Sequence, residues 1–374
     1  MKILFVLEHF HPYIGGVEFL FWQLTNELIE QGHQVEVITT RFDKQLPKNE
    51  SINGIKIHRV NCKNRFSFSI RSIPSIFKII NNYDIVHTTT YTAALPTSIV
   101  SFIKNKKSIL TFHEYWGKLW NELPYLSSIQ KNMYNFFEYL ITILPFSKVV
   151  AVSEFTYKSL KKAGKYNNKI VKIYNGIDYH SIKQLDKEIS LTNSNTTTNQ
   201  EALNYIFIGR LGVSKGLDLL LEASHIFLQS NPKATLKIVI PKIPKKLYQI
   251  ILNKICSFND AKQIKIMHNL SKKELFRQMK SAAFIVIPSY SEGFCFVAAE
   301  ASALNIPIIS SHRGALKEVV SGKYISMDSF TAKGLLSALE NAKKNEWSYK
   351  ESVQFTLNES VKQYVYLYKE LING

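Results

Sequence analysis

The chain is short of acid. Its 374 residues hold 29 aspartates and glutamates against 47 lysines and arginines, a formal net charge of +18. Such a surplus suits nucleic acid, an anionic membrane surface or phosphorylated ligands. No paired Cys/His zinc spacing and no RRM-type aromatic signature occurs, which argues against a nucleic-acid module. Cysteine is scarce as well: Cys62, Cys256 and Cys295 are scattered and odd in number. This argues against a disulfide framework or a zinc site and fits a reducing cytosol. No apolar run reaches the ~20 residues of a membrane span. The best candidate, FFEYLITILPFSKVVAV, is broken by Glu138, Pro145 and Lys148. The opening MKILFVLEHFHP has too short an apolar core for a signal peptide and reads as a first strand. No Asp-x-Asp pair is present to hold a metal, and HEYWG lacks the second histidine of a zincin helix. The pair His9 and His11 lines a loop or packs.

What is present is alternation. KILFVL reads as a strand and EHFHPYIGG as a loop. VEFLFWQLTNELIEQG reads as a helix with Val17, Leu20, Phe21, Leu24 and Leu28 on one stripe, and QVEVIT as the next strand. The result is a βαβ unit with a right-handed crossover. YDIVHT, SILTFH and SKVVAVS continue the series, and VKIYNGID closes it. A Ser/Thr/Asn-rich tract with no apolar period follows, and it is the best domain boundary in the chain. After it NYIFIG, LKIVIP, IKIMH, FIVIP and PIISS alternate with helical segments. The reading is an amino-terminal Rossmann-like domain over 1–180, a polar linker over 181–203, a second Rossmann-like domain over 204–350, and carboxyl-terminal helices over 351–374. In open α/β sheets ligands bind beyond the carboxyl ends of strands, so the expected site is a cleft between the two domains.

The stretch SEGFCFVAAEAS, Ser291 to Ser302, follows the strand FIVIP and brackets seven residues with Glu292 and Glu300. A glycosidase needs its carboxyl groups roughly 5–9.5 Å apart. Eight helical positions rise about 12 Å, so this pair reads as two grips on one long ligand rather than two jaws on one bond. The amides of Gly293, Phe294 and Cys295 fall at a helix start, where free N–H groups favour anions and sugar oxygens. A solvated glutamate at a helix start and another on an exposed turn is the plain alternative. Gly15 and Gly16 follow the first strand, where glycine admits a phosphate to the backbone or simply makes a turn. At the matching place in the second domain IGRLGVSKG supplies Arg210 and Lys215, a fork and a point charge for phosphate oxygens.

IGRLGVSKG, then PSYSEGFCFVAAEASALNIPIISS, then GALKEVV resembles the retaining nucleotide-sugar glycosyltransferases of family 4. The resemblance runs from KILFVLEHFHPYIGGVE through TFHE, VVAVSE and YNGID to the final helices. It implies the GT-B architecture, two Rossmann-like α/β domains facing each other across a cleft, with the last helix returning to the first domain. It implies that Gly15 and Gly16 line the donor phosphates and that Arg210 and Lys215 hold the diphosphate. It places Glu292 on the donor sugar, helped by the amides of Gly293, Phe294 and Cys295, and Glu300 on the ribose hydroxyls. His113, in TFHE, matches a histidine near donor sugar and acceptor. The donor it implies is a nucleotide-diphosphate sugar, and neither metal nor cofactor is expected. Charge that builds on the departing phosphate needs fixed cations or a metal, and Arg210 and Lys215 supply the cations. The sequence departs from the family pattern at Pro241 and Lys242, at Cys295 beside the sugar, and at Ala315 and Lys317. These departures leave the base, uracil or guanine, and the sugar open.

In the first domain KNRFSFSIRSIPSIFKII places Lys63, Arg65, Arg71 and Lys78 beside Phe66, Phe68, Ile70, Ile73 and Phe77. Such a mixture suits an anionic bilayer surface, or an amphipathic helix packed on its sheet. Trp116, Trp120 and Tyr125 lie just beyond His113. The resulting expectation is a peripheral enzyme at the cytoplasmic face of the membrane, acting on a lipid-linked glycan or glycolipid. The alternatives are a soluble acceptor, a GT-B epimerase or phosphorylase, and a non-catalytic sugar-nucleotide binder. No nucleic-acid partner is expected.

Overall fold

The computed structural model describes residues 1–124, 126–164, 166–192 and 203–374. The chain divides into two α/β units, the first made of Met1–Asn121, Leu126–Ile177 and Phe355–Gly374, the second built on Asp178–Gln354.

Unit 1 opens with β1 (Lys2–Val6), α1 (Gly16–Glu30), β2 (Gln34–Thr40) and the strands β3 (Asn49–Ile52) and β4 (Ile55–Val60). Then come α2 (Arg65–Arg71), α3 (Ile73–Ile79), β5 (Ile85–Thr89), α4 (Ala94–Ile103), β6 (Ser108–Phe112), α5 (Ser128–Thr142), β7 (Lys148–Ala151), α6 (Glu154–Lys162) and β8 (Ile170–Lys172). The strands form one sheet in the order β3-β4-β2-β1-β5-β6-β7-β8. All neighbours run parallel except β3 and β4, which pair as a hairpin across Asn53–Gly54. Ile3 faces Val35 on one side and Ile85 on the other. The central strands are apolar runs because helices cover both faces of a parallel sheet. The apolar stripe of α1 packs inward at Leu20, Phe21, Leu24 and Leu28, all fully buried.

In unit 2 the elements are α7 (Tyr179–Thr192), β9 (Asn204–Ile208), α8 (Leu217–Ser230), β10 (Thr235–Val239), α9 (Lys245–Cys256), β11 (Ile264–Met267) and α10 (Lys272–Lys280). They continue with β12 (Phe284–Ile287), α11 (Phe296–Ala303), β13 (Ile308–Ser310), α12 (Leu316–Val319), β14 (Gly322–Ser326), α13 (Ala332–Lys343) and β15 (Ser348–Lys350). Their sheet runs β11-β10-β9-β12-β13-β14-β15, with only β15 antiparallel. The stretch expected as linker, 181–203, is helical through Thr192 and belongs to unit 2, where Lys273 of α10 pairs with Glu188 at 2.8 Å. Residues 193–202 of that tract lie outside the described residues, as does Tyr125.

The chain returns to unit 1 at Phe355 and ends in α14 (Leu357–Asn373). Ile177 donates its N–H to the Phe355 carbonyl at 2.8 Å, and Leu357 donates to the Ile177 carbonyl at 3.0 Å. From α14, Leu357, Val361, Tyr364, Leu367, Tyr368 and Leu371 enter the same core as Phe5, Phe21 and Leu24. A buried polar chain fastens it. The ring of His87 on β5 lies 2.7 Å from the Tyr368 hydroxyl through Nδ1 and 2.7 Å from Thr111 Oγ1 through Nε2. Thr111 in turn lies 3.3 Å from the Tyr364 hydroxyl.

Burial, with the charge of neighbouring His113 second, lowers the His87 pKa to about 3. The unfolded chain therefore takes up a proton near pH 6.5 that the fold refuses. The stability held by neutral His87 is complete above that pH and is lost as pH falls from 6.5 toward 3, at up to roughly 1.4 kcal/mol per unit. Denaturant titrations at pH 7 and pH 5 are expected to show a steeper loss for the wild type than for His87→Gln. Equal losses would remove His87 as the cause.

Candidate active site

In each unit the sheet order reverses about its first strand. In unit 2, β9 lies between β10 and β12. The loops leaving β9 (Gly209–Gly216) and β12 (Pro288–Cys295) therefore open into one crevice at the carboxyl edge, where ligands of such sheets bind. The two loops are laced together. Tyr290 donates its N–H to the Ser214 carbonyl at 2.8 Å, and the Tyr290 hydroxyl donates to Asp218 Oδ2 at 3.2 Å. Gly216 has φ +65°, and a Cβ there would lie 2.8 Å from the Pro288 carbonyl carbon and closer still to its oxygen. Only glycine admits this approach.

The lacing brings Lys215 and Glu292 together. Lys215 Nζ donates to Glu292 Oε1 at 2.7 Å, and Ser289 Oγ donates to the same oxygen at 2.7 Å. Glu292 is buried, and its lysine partner is about a quarter exposed, with side-chain accessibility of 23%. A loop after β13 holds the glutamate's backbone from above. Ala315 donates its N–H to the Glu292 carbonyl at 2.8 Å, and a Cβ on Gly314 (φ +62°) would lie 2.7 Å from the Glu292 nitrogen. Ser311 Oγ donates to the Ser289 carbonyl at 2.6 Å, which ties the same loop to the strand end. Both charges are thus fixed before any ligand arrives, and fixed charge needs no reorganisation when new charge develops beside it.

After Glu292, Gly293 and Phe294 are buried, and Cys295 caps α11 with φ +78°. These three positions lie at the helix start, as read from the sequence. Burial, followed by the Glu292 carboxylate, pushes the Cys295 thiol well above its ordinary pKa, so it stays a neutral packing group rather than a nucleophile. Glu300 lies on α11, and Lys272 at the start of α10 donates to its Oε1 at 2.7 Å. Lys272 is absent from the sequence reading, because nothing local marks a contact between residues on different helices. One oxygen of Glu300 is thus held by an ammonium group. Arg210 is exposed and lines a shallow crevice with Gly212, Leu217 and Asp218 and with Leu247 and Ile251 of α9. The segment with Pro241 and Lys242 leads into that helix.

The remaining sequence candidates lie in unit 1. Gly15 is the N-cap of α1 in extended backbone, and Gly16 begins the helix. The buried Glu18 carboxylate folds back over Gly15, closer than a side chain there would tolerate. His113 follows β6, half-buried, with its ring 5.8 Å from that of Phe21 and edge-on to it. Glu138 of α5 pins the loop beyond it. Its carboxylate accepts from the Trp116 N–H at 2.9 Å, the Gly117 N–H at 2.6 Å and Trp120 Nε1 at 3.2 Å. Burial outweighs these three donors and holds its pKa above the usual carboxylate range. Glu8, beyond the end of β1, is the converse case. Burial opposes its charge, but His9, Arg65 at 3.1 Å and Thr92 at 2.6 Å prevail and keep its pKa low. Arg65, read from sequence as a surface cation, is thus partly committed to Glu8. Phe68, read as part of the same surface, is fully buried in the core with Leu4 and Ile76.

Two family models match the chain almost end to end. The first, Glycosyltransferase Family 4, covers residues 14–181, and the second, Glycosyl transferases group 1, covers residues 192–362. The chain is a family 4-type glycosyltransferase. An uncharacterized glycosyltransferase of Methanocaldococcus jannaschii is 28% identical over 87% of this chain and 82% of its own. A human phosphatidylinositol N-acetylglucosaminyltransferase chain is 21% identical over 91% of this chain and 68% of its own. Among solved structures, sucrose-phosphate synthase from Thermosynechococcus elongatus aligns at TM-score 0.82 with 18% identity, over 100% of this chain and 99% of that one. The HepE protein of Anabaena in complex with UDP-glucose aligns at TM-score 0.72 with 16% identity, over 99% and 100%. The two units of this glycosyltransferase are accordingly the two Rossmann-like domains of the GT-B fold.

Proposed function

We propose that this glycosyltransferase moves a sugar from a nucleotide-diphosphate donor to a lipid-linked glycan or glycolipid, with retention at the anomeric carbon and without a metal. The observation that carries the donor reading is the Lys215–Glu292 pair, fixed at the carboxyl edge of the unit 2 sheet beside the start of α11. Departure of a nucleoside diphosphate builds negative charge on its β-phosphate, and Lys215 is placed to meet it, with Arg210 as a second, exposed cation. Fixed cations of this kind replace the metal. Glu292, already bonded to a lysine and a serine, positions the sugar and balances charge and forms no covalent intermediate. The lipid acceptor and a place at the cytoplasmic face draw support from the cationic and apolar segment Lys63–Ile80. The human relative, whose name specifies phosphatidylinositol, supports the lipid acceptor.

The test is a panel of nucleotide sugars, followed by release of nucleoside diphosphate with lipid-linked and with soluble acceptors. Release is expected to persist in EDTA and to be stimulated by the lipid acceptor. Product NMR is expected to show the donor's anomeric configuration. Inversion would overturn the retaining mechanism, loss of turnover in EDTA the metal-free one, and stimulation by soluble acceptors alone the lipid acceptor.

A further inference from the structure

Unit 1 carries a helical face that its own core leaves uncovered. Helix α5 has 15 residues, and only Glu138, Ile141 and Thr142 of it are buried. Its solvent side reads Ile129, Met133, Phe136 and Leu140, with Ile143 at its C-cap, at steps of four, three, four and three, which is one stripe of a helix. These are bare apolar groups: Ile129 is 81% exposed and Phe136 61%. Helix α4 adds Ile99, Phe102 and Ile103, with Phe102 73% exposed. Helix α2 adds Phe66 and Ile70, and the Phe66 ring lies 6.2 Å from that of Phe137, which joins α2 to α5. Helix α4 packs beside both α2 and α3. Scattered surface apolar residues are ordinary, but a set on α5 joined to α2 through Phe66 and Phe137, with α4 packed beside α2, marks a docking surface.

Charge says what docks there. From Lys63 to Lys107 the cations are Lys63, Arg65, Arg71, Lys78, Lys104, Lys106 and Lys107, and the only acid is Asp84. Within the helices α2, α3, α4 and α5 the sole carboxylate is Glu138, which is buried and turned inward to the loop at Trp116 and Gly117. Lys104 lies over the Phe77 ring, 3.7 Å from its centroid, so cation and apolar surface interleave. The face is therefore apolar, rimmed by cations and free of exposed acid within its helices. A second copy of the same face would bring like charges together, and an ordinary aqueous surface would leave the apolar stripe wet.

We infer that the outer face of α4 and α5, flanked by α2, docks on an anionic lipid bilayer, with α5 lying along the headgroup boundary. The stripe sinks its aliphatic and aromatic groups at the acyl boundary while the rim meets the headgroup charge. This deepens the lipid-acceptor reading, on which it rests for its purpose, and it moves the contact from the Lys63–Ile80 segment to a surface centred on α5.

The experiment is co-sedimentation of the full chain with phosphatidylcholine vesicles, with and without phosphatidylglycerol, at low and high salt. Binding is expected on the anionic vesicles and is expected to weaken with salt. Ile129→Ser with Phe136→Ser, both exposed and outside the core, is expected to weaken it by about tenfold or more, since each removes apolar surface from the boundary. Tyr366→Ser on α14, a comparably exposed aromatic position at 72%, is expected to bind as the wild type does. No binding to anionic vesicles at low salt, or equal binding by the double variant, would overturn the proposal. So would concentration-dependent self-association, measured without vesicles, that the double variant abolishes, because the face would then meet a second copy. Nucleoside diphosphate release measured in detergent, without vesicles, reads the donor site separately. Its failure would sink the transferase reading and leave the vesicle result standing.

Discussion

Lys215→Ala is expected to lower kcat/KM for the donor by roughly 10- to 150-fold, the range that corresponds to losing one charge-assisted hydrogen bond of about 1.5–3 kcal/mol. In the resting protein the ammonium group already bonds Glu292 at 2.7 Å, so its removal does two things. It takes away the cation proposed to meet the leaving phosphate. It also leaves a buried carboxylate with the Ser289 hydroxyl in place of a full charge. The fold does not depend on Lys215, whose side chain is partly exposed and outside the core of unit 2. Steady-state kinetics together with a thermal melt check this. A melt near the wild type's with a greatly lowered kcat/KM is the expected result, and normal turnover would withdraw Lys215 from the donor site. Lys215→Arg is expected to recover only part of the loss, because a planar fork cannot reproduce a point charge in a site shaped by Gly216 on one side and Ser289 on the other.

Gly216→Ala is expected to do more damage than that, by a different route. At φ +65° any residue with a Cβ is strained by about 1–2 kcal/mol before neighbours are counted. Here the added carbon would also press on the Pro288 carbonyl at the end of β12. A parallel strand cannot shift at one residue alone, because Ile285 and Ile287 are in register with Ile308 and Ser310. The substitution therefore parts the β9 and β12 loops and separates Lys215 from Glu292. Loss of most activity and a clearly lowered melting temperature are expected, and the two should move together. Gly212→Ala is the control. Its nearest neighbour would be Ser214 Oγ at 3.8 Å, with ordinary φ, and it is expected to leave both measurements close to the wild type. A Gly216→Ala enzyme as active and as stable as Gly212→Ala would show that the two loops are not held by this approach.

How much of this was legible in the sequence depends on how local its cause is. KILFV and FIVI are strands buried along almost their whole length, and apolar runs of that length between helical periods have few other readings. The loop positions of Lys215, Glu292 and the Gly293–Cys295 backbone could be placed for the same reason: each follows a strand that periodicity finds. The hairpin of β3 and β4 is missing from the sequence reading although Asn53–Gly54 is a strong two-residue turn signal. Its strands are short, and β3 is only half-buried, so no apolar run points to them. The polar tract after YNGID hid a helix through Thr192: its inward stripe is only Ile182, Leu185 and Ile189, with both isoleucines buried, and charged and polar residues around them, among them Glu188 paired with Lys273, mask that short period. What pattern could not supply was pairing at a distance. Lys272 on Glu300, Glu138 under the Trp116 loop and Arg65 on Glu8 join residues far apart in the chain. The outer stripe of α5 was present at helical spacing, yet only burial shows that it faces outward.

The return of the chain from unit 2 to Phe355–Gly374 governs the order in which the protein can be made. The sheet of unit 1 is complete in sequence by Ile177, but much of the cover over Phe5, Phe21 and Leu24 is α14, which is synthesised only after all of Asp178–Gln354. Until then His87 has no tyrosine hydroxyl to bond and a broad apolar surface stays open to water. Unit 2, continuous from Asp178 to Gln354, can fold while the first unit still waits. Nascent chains are therefore most vulnerable to aggregation through their amino-terminal half for the whole time the second half is being synthesised. A stop codon or frameshift anywhere before Leu357 removes a wall of the first domain rather than a dispensable tail. For the same reason an amino-terminal fragment ending near Ile177 can fold on its own only when Phe355–Gly374 is grafted directly onto its end.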